Sequence, residues 1–317
     1  MAEAPWQLYG AALLTGAGWP ALGAAAVNAI VSPWFIRKRA AALNTAYNGA
    51  SIGGVIFSPL WVALIGSVGF PLAATLVGAA TVATPALLVL LGLGRTPESL
   101  GQSPDGESAG DPVSATAAVS TVPRLRRDRA FLTLSLGMAL ALFAQIGLIA
   151  HLVSILVPAL GTGRAGLAAG LSTAAAILGR LAVGWLMPAG ADRRRVASLS
   201  LLVQMAGCLA LVLAGGTNAP LLLLGVVLVG LGIGNATSLP PLIAQVEFAR
   251  ADALRVVALI VAISQGAYAF APATYGLLRQ VGPDWAIFVA AALIQLASIL
   301  AYLAGRGSYA VRPGGAV

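Results

Sequence analysis

Arg180 stands alone in a long apolar stretch, about twelve residues and roughly 18 Å of helical rise before the next charge, Asp192. A charge held at that depth in hydrocarbon costs several kcal/mol, so such residues usually face a polar cavity. The planar guanidinium matches a carboxylate with two parallel hydrogen bonds, which makes Arg180 a candidate anchor for an anionic solute. The competing reading is a side chain that snorkels to the cytoplasmic interface or pairs with backbone carbonyls. His151 is the single histidine and follows Gln145 by six residues. That spacing turns the two about 120° apart on a helix rather than along one stripe. Histidine titrates near neutral pH and would suit proton coupling, while a hydrogen-bonded structural histidine is the simpler reading. No companion ligands surround it, so neither a metal nor any other cofactor is expected.

Uncharged polar side chains are scattered through other apolar runs: Asn44, Asn48, Asn235, Gln245, Gln265, Tyr268 and Tyr275. Asn48 and Gln265 precede Gly49 and Gly266 in similar surroundings. Each alone reads as an interhelical hydrogen bond, and as a set they point to a polar cavity, with Asn48, Asn235, Gln265 and Tyr268 expected to bind the solute beside Arg180, His151 and Gln145. Gly49, Gly53 and Gly54, with Pro59, form a small-residue stripe suited to close helix packing and a bend. Two patterns mimic enzyme motifs. Gly49-Ala50-Ser51-Ile52-Gly53 fits a nucleophile elbow but lies inside an expected helix. Gly230, Gly232 and Gly234 lack the βαβ unit that a dinucleotide loop needs.

The elements that position these residues follow from composition. Apolar residues make up 59% of 317 positions and charged ones 9%, against roughly a quarter charged in soluble domains. A soluble exterior cannot be built from this composition. The net charge of +8 is dispersed in short clusters between apolar runs, which argues against nucleic-acid binding. Cys208 is the single cysteine, so no internal disulfide forms.

A membrane-spanning helix needs about 20 mostly apolar residues. Nine segments meet that standard: 8–31, 40–66, 70–94, 130–158, 165–187, 195–214, 219–244, 253–278 and 284–305. The first is too long for a signal peptide and follows Glu3 rather than a basic stretch. The runs lack period-2 alternation, so the expected fold is all-α and polytopic, not a β-barrel. One set of loops holds fifteen Lys and Arg residues, among them Arg37, Lys38, Arg39, Arg193, Arg194 and Arg195, against Arg164 and Arg279 opposite. The positive-inside rule then puts the C-terminus in the cytoplasm and the N-terminus outside, in a plasma (inner) membrane.

Residues 96–129 are rich in Pro, Ser, Gly, Asp and Glu and read as a flexible cytoplasmic linker. They separate a three-helix part, 1–95, from a six-helix part with a short tail, 130–317. The two parts resemble each other weakly. GAGWPALG (16–23) and YNGASIGGVIFSP (47–59) find counterparts in GLGIGNATSLPP (230–241) and SQGAYAFAP (264–272).

On these residues the chain resembles the major facilitator superfamily, whose fold is two six-helix bundles joined by a long cytoplasmic loop. WFIRKRAAALNTAYNGASIGGVIFSPL (34–60) is most similar to the monocarboxylate and oxalate–formate antiporter-like branch. GRLAVGWLMPAGADRRR (179–195) is similar to the family's eighth helix and its basic exit loop. That match implies gating or packing roles for Gly184, Asp192, Arg193 and Arg194, although Pro188 stands where the family has an acid. The resemblance implies that the Gly-Arg-x-x-x-Gly arginine, here Arg180, faces the central cavity. It also places the first segment at the family's fourth helix, so the first three are expected to be missing through a misplaced start or a truncation.

The function expected is secondary transport of a small solute, an organic carboxylate first, with His151 as the candidate for proton coupling. The competing expectations are a drug or sugar carrier of the same fold and an inactive truncated chain. An intramembrane serine hydrolase using Ser51 and His151 is the non-transport alternative.

Overall fold

The computed structural model describes residues 4–31, 33–35, 39–106, 125–188, 191–248 and 250–306. Every regular element among them is helical. In chain order these are α1 (Pro5–Leu22), α2 (Ala24–Val31), α3 (Arg39–Leu88), α4 (Arg129–Leu160), α5 (Thr162–Leu186), α6 (Arg193–Leu213), α7 (Ala219–Glu247), α8 (Arg250–Tyr268), α9 (Ala271–Val281) and α10 (Ala286–Ala304). A π-helical turn, Val89–Leu93, follows α3. Most of the linker, the basic pair Arg37 and Lys38, and the tail after 306 lie outside the described residues.

The helices meet the nine expected segments with three physical breaks. α1 and α2 share the first segment, interrupted at Gly23. α3 runs through the second and third, and Gly69, at φ 76° and ψ 163°, divides it between them. That backbone conformation is open to glycine at no steric cost. α8 and α9 share the eighth segment, parted at Ala269 and Phe270 ahead of Pro272. Seven described stretches are long and apolar enough to cross a membrane by length and composition, with Ile52–Leu93 counted as one of 42 residues.

Capping residues fix where several helices begin. Asp128 accepts from Ala130 N at 2.8 Å to open α4, Asp192 from Arg194 N at 3.0 Å to open α6, and Asn218 from Leu221 N at 3.1 Å to open α7. Gly161, at φ 77°, turns the chain from α4 into α5.

Two compact units result, Met1–Gly53 with Leu60–Ala115, and Gly54–Pro59 with Thr116–Val317. In the first unit Ala73 is fully buried while Phe70, Leu72 and Val82 are exposed. The second unit is built from α4 to α10 and has two apolar clusters. One centres on Leu134, Leu201, Leu239 and Ile260, the other on Leu148, Leu156, Leu222 and Ile287. Its outer surface carries Trp185, Leu186 and Val281, each more than three-quarters exposed. Its interior holds Gln204, Gln295, Ser264 and Ser298, each fully buried. Apolar side chains outside and hydrogen-bonded polar ones inside are the arrangement a lipid solvent favours.

Candidate functional site

The side chain at the centre of the functional expectation lies on a helix seam made by glycine. α5 and α7 approach so closely that a Cβ at Gly179 would collide with the Leu231 carbonyl oxygen. One at Gly230 would strike Ser172 O, and one at Gly234 would strike Ala176 O. Small residues at this spacing let two backbones come together without a hydrophobic driving force. The seam positions Arg180, next to Gly179 on α5. Its guanidinium is half-buried, and Nε donates to Gly234 O on α7 at 3.4 Å.

Asn235 is 3% exposed and lies beside this contact on α7. Its Nδ2 donates to Gly179 O and Leu231 O, both at 3.4 Å. Gln145 approaches the same segment from α4, donating from Nε2 to Ile233 O at 3.5 Å. Three residues singled out in the sequence therefore converge on α7 residues 231–235: Arg180, Asn235 and Gln145. Among the described residues, Gln145 Oε1 and Asn235 Oδ1 are buried without a hydrogen-bond partner.

His151 belongs to a different place. Its Nε2 lies 3.0 Å from Pro272 O on α9, and its Nδ1 lies 3.5 Å from Arg279 Nη1. An arginine has only donors, so Nδ1 is the acceptor of that contact and the ring hydrogen sits on Nε2, aimed at Pro272 O. Arg279 Nη1 also donates to Ser154 Oγ at 2.7 Å. These contacts tie α4 to α9 through the His151 ring.

Gln265 and Tyr268 are half-buried on α8, where Tyr268 packs against the first apolar cluster. Asn48 is half-buried within the first unit. The glycine stripe divides. Among the described residues, a Cβ at Gly49 or Gly53 would meet nothing within 4 Å, whereas one at Gly54 would press on Thr173. Pro59 sits within van der Waals reach of the Cβ position of Gly170. Among the described residues, close packing thus involves Gly54 and Pro59 but not Gly49 or Gly53. The two enzyme-like glycine patterns lie inside α3 and α7. The side chains of Asn44 and Ser51 lie outside the described residues.

At the start of α6 the basic run is fully engaged. Arg194 is 1% exposed and forks onto Glu247 at the end of α7, Nε to Oε1 at 2.6 Å and Nη2 to Oε2 at 2.7 Å. Its remaining donors reach Thr133 Oγ1 (3.0 Å), Ala130 O (2.9 Å) and Tyr302 O (3.2 Å). One side chain thereby joins the ends of α4, α6, α7 and α10. Arg193 Nη1 donates to Leu242 O at 2.7 Å. Asp192 accepts from Arg306 Nε at 2.5 Å. Burial acts to raise the Asp192 carboxyl, yet donation from Arg306 and from the Arg195 and Arg194 N–H groups outweighs it and holds the group below the usual aspartate range. Gly184, by contrast, has nothing within 4 Å of its Cβ position among the described residues.

Sequence reasoning singled out Arg194 without Glu247. The signal was present, since Glu247 and Asp252 are the two acids between Asp192 and Asp284. The Gln204–Gln295 pair, joined at 3.1 Å inside the second unit, was also missed.

Comparison with known proteins places these features in a lineage. The model of the Major Facilitator Superfamily matches residues 1–272. The chain is 28% identical over 276 residues to "MFS transporter asaE" of Aspergillus flavus, a match covering 84% of this chain. The chain spans 58% of that relative's length.

Proposed function

The chain belongs to the Major Facilitator Superfamily, and we propose that it carries a small organic anion, a monocarboxylate first, across the membrane by alternating access. The observation that carries this reading is Arg180, a half-buried cation within a membrane-spanning helix whose neighbours Asn235 and Gln145 add polar groups at the same level of α7. A guanidinium in such surroundings stabilises a carboxylate far more than it would in water, because both charge attraction and hydrogen bonding strengthen as solvent is excluded. Asn48, Gln265 and Tyr268 are proposed as further contacts for the solute. Asp192, Arg193 and Arg194 are proposed to hold the cytoplasmic ends of the helices in one of the transport states. On this reading residues 1–95 and 130–317 are the two transporting bundles and 96–129 their cytoplasmic connection.

His151 is read as a fastener between α4 and α9 rather than as the carrier of a coupling proton, since both ring nitrogens are engaged.

The test is uptake of radiolabelled monocarboxylates by proteoliposomes, with and without an imposed pH gradient. Saturable uptake is expected from the unaltered chain. Arg180→Ala is expected to lower kcat/KM by roughly 10- to 150-fold, the loss of a charge-assisted contact of ~1.5–3 kcal/mol. Arg180→Lys keeps the charge, loses the fork and falls between them. Unchanged carboxylate uptake by a folded Arg180→Ala protein would sink the assignment.

A further inference from the structure

Where α4, α6, α7 and α10 cross, the second unit encloses a small cavity lined by Ala141, Ser200, Gln204, Asn235, Ala236 and Tyr302. Its free volume is about 10 Å³, which is about the room one water molecule needs. Most of the lining is apolar, Ala197, Leu201 and Gly232 included, and Ser200, Gln204, Asn235 and Tyr302 are its polar members. Gln204 is fully buried, Tyr302 is 1% exposed and Asn235 3%.

Each of these three side chains is tied down at one place and unmatched at another. Gln204 Oε1 accepts from Gln295 Nε2 at 3.1 Å, while Gln204 Nε2 has no partner among the described residues. Asn235 Nδ2 donates to Gly179 O and Leu231 O, while its Oδ1 has none. The Tyr302 ring packs against Gly137, and its hydroxyl is likewise unmatched. Buried polar groups in native proteins are almost always matched. The unmatched set is one donor, one acceptor and one hydroxyl that does either. Pro240, four positions after Ala236, has no N–H to give to the Ala236 carbonyl.

The occupant follows from that list. A cation would meet the amide NH₂ of Gln204, and an anion would meet Asn235 Oδ1. Exchanging O and N in the linked Gln204–Gln295 pair would turn the Gln204 group from donor to acceptor. A neutral molecule that both donates and accepts fits either arrangement. We propose that this cavity is a binding site for one ordered water molecule, held by Gln204, Asn235 and the Tyr302 hydroxyl. The water links α6, α7 and α10, and it fixes the Asn235 amide whose other end grips α5 at Gly179, one residue from Arg180. It serves as a positioning element behind the α5–α7 seam and stands whatever solute is carried.

The sign of a stability change tests it. Tyr302→Phe keeps the ring against Gly137 and removes only the hydroxyl. If a water bridges the site, the change removes a hydrogen bond, and the purified full chain in detergent is expected to melt about 2–4 °C lower. If the cavity is dry, the change removes an unmatched hydroxyl from the interior, and Tm stays level or rises. A level or raised Tm overturns the proposal. The second measurement is a density map good enough to show ordered water elsewhere in the bundle. A peak within hydrogen-bond distance of Gln204, Asn235 and Tyr302 is expected, and an empty cavity in such a map overturns the proposal whatever Tm does.

Discussion

Single charged residues in this chain are defined by what they touch, and Asp192 and Arg194 show two ways of holding charge at a membrane surface. Arg194 is buried with each of its nitrogens matched, so its worth lies in joining four helix ends rather than in net attraction. Asp192 is more exposed, caps α6 and pairs with Arg306. Its carboxyl ionises below the usual aspartate range. A depressed folded value means that the unfolded chain takes up the proton first. The stabilisation is therefore present above the unfolded value of about 3.9 and is lost as pH falls through the folded value. Asp192→Asn keeps the cap and removes the charge. The Tm difference between the parent protein and this variant is expected to be constant from about pH 7 to pH 5 and to shrink below about pH 4. Thermal unfolding across that range checks it, and a difference independent of pH would remove the charge from the account.

Helix pairs are set by where glycine meets backbone. Gly179 and Gly184 lie five residues apart on α5 and look interchangeable as letters. A Cβ at Gly179 would collide with the Leu231 carbonyl, and one at Gly184 would meet nothing among the described residues. Gly179→Ala is expected to destabilise by ~1–3 kcal/mol through overpacking of α5 on α7. Gly184→Ala is expected to be neutral or to stabilise by up to ~1 kcal/mol from helix propensity. Thermal denaturation of both in one detergent decides this, and equal effects would mean that the α5–α7 seam is not as close as described. The same distinction explains the stripe in α3, where spacing alone did not tell Gly54, pressed on Thr173, from Gly49 and Gly53. Which face of a helix meets a neighbour depends on the neighbour.

For the whole molecule, the orientation proposed rests on basic residues gathered at one set of helix ends. At the start of α6 and just past the end of α10, Glu247 ties Arg194 and Asp192 ties Arg306, while Arg193 donates to the Leu242 carbonyl. A fluorescent protein fused to the C-terminus is expected to fluoresce in intact bacterial cells, and an alkaline phosphatase fusion at the same point to stay inactive. The reverse pattern would invert the topology.

Class and span positions were legible in the letters because the cost of exposing charge to hydrocarbon, or apolar surface to water, acts on every residue whatever its neighbours. Lipid demands long apolar helices, and seven candidate spans among the described residues meet that demand where nine segments were expected, 8–31 falling outside those spans and 40–66 with 70–94 forming one. Breaks at Gly69 and ahead of Pro272 also have local causes, one in backbone sterics and one in a missing N–H. The partners did not follow from the letters. Arg180 reaching Gly234, Arg194 reaching Glu247, His151 lying between Pro272 and Arg279, and Gln204 pairing with Gln295 all join residues more than fifty positions apart. Period and composition say that a polar side chain in a membrane helix must find a partner. Only the packing of helices around it decides which.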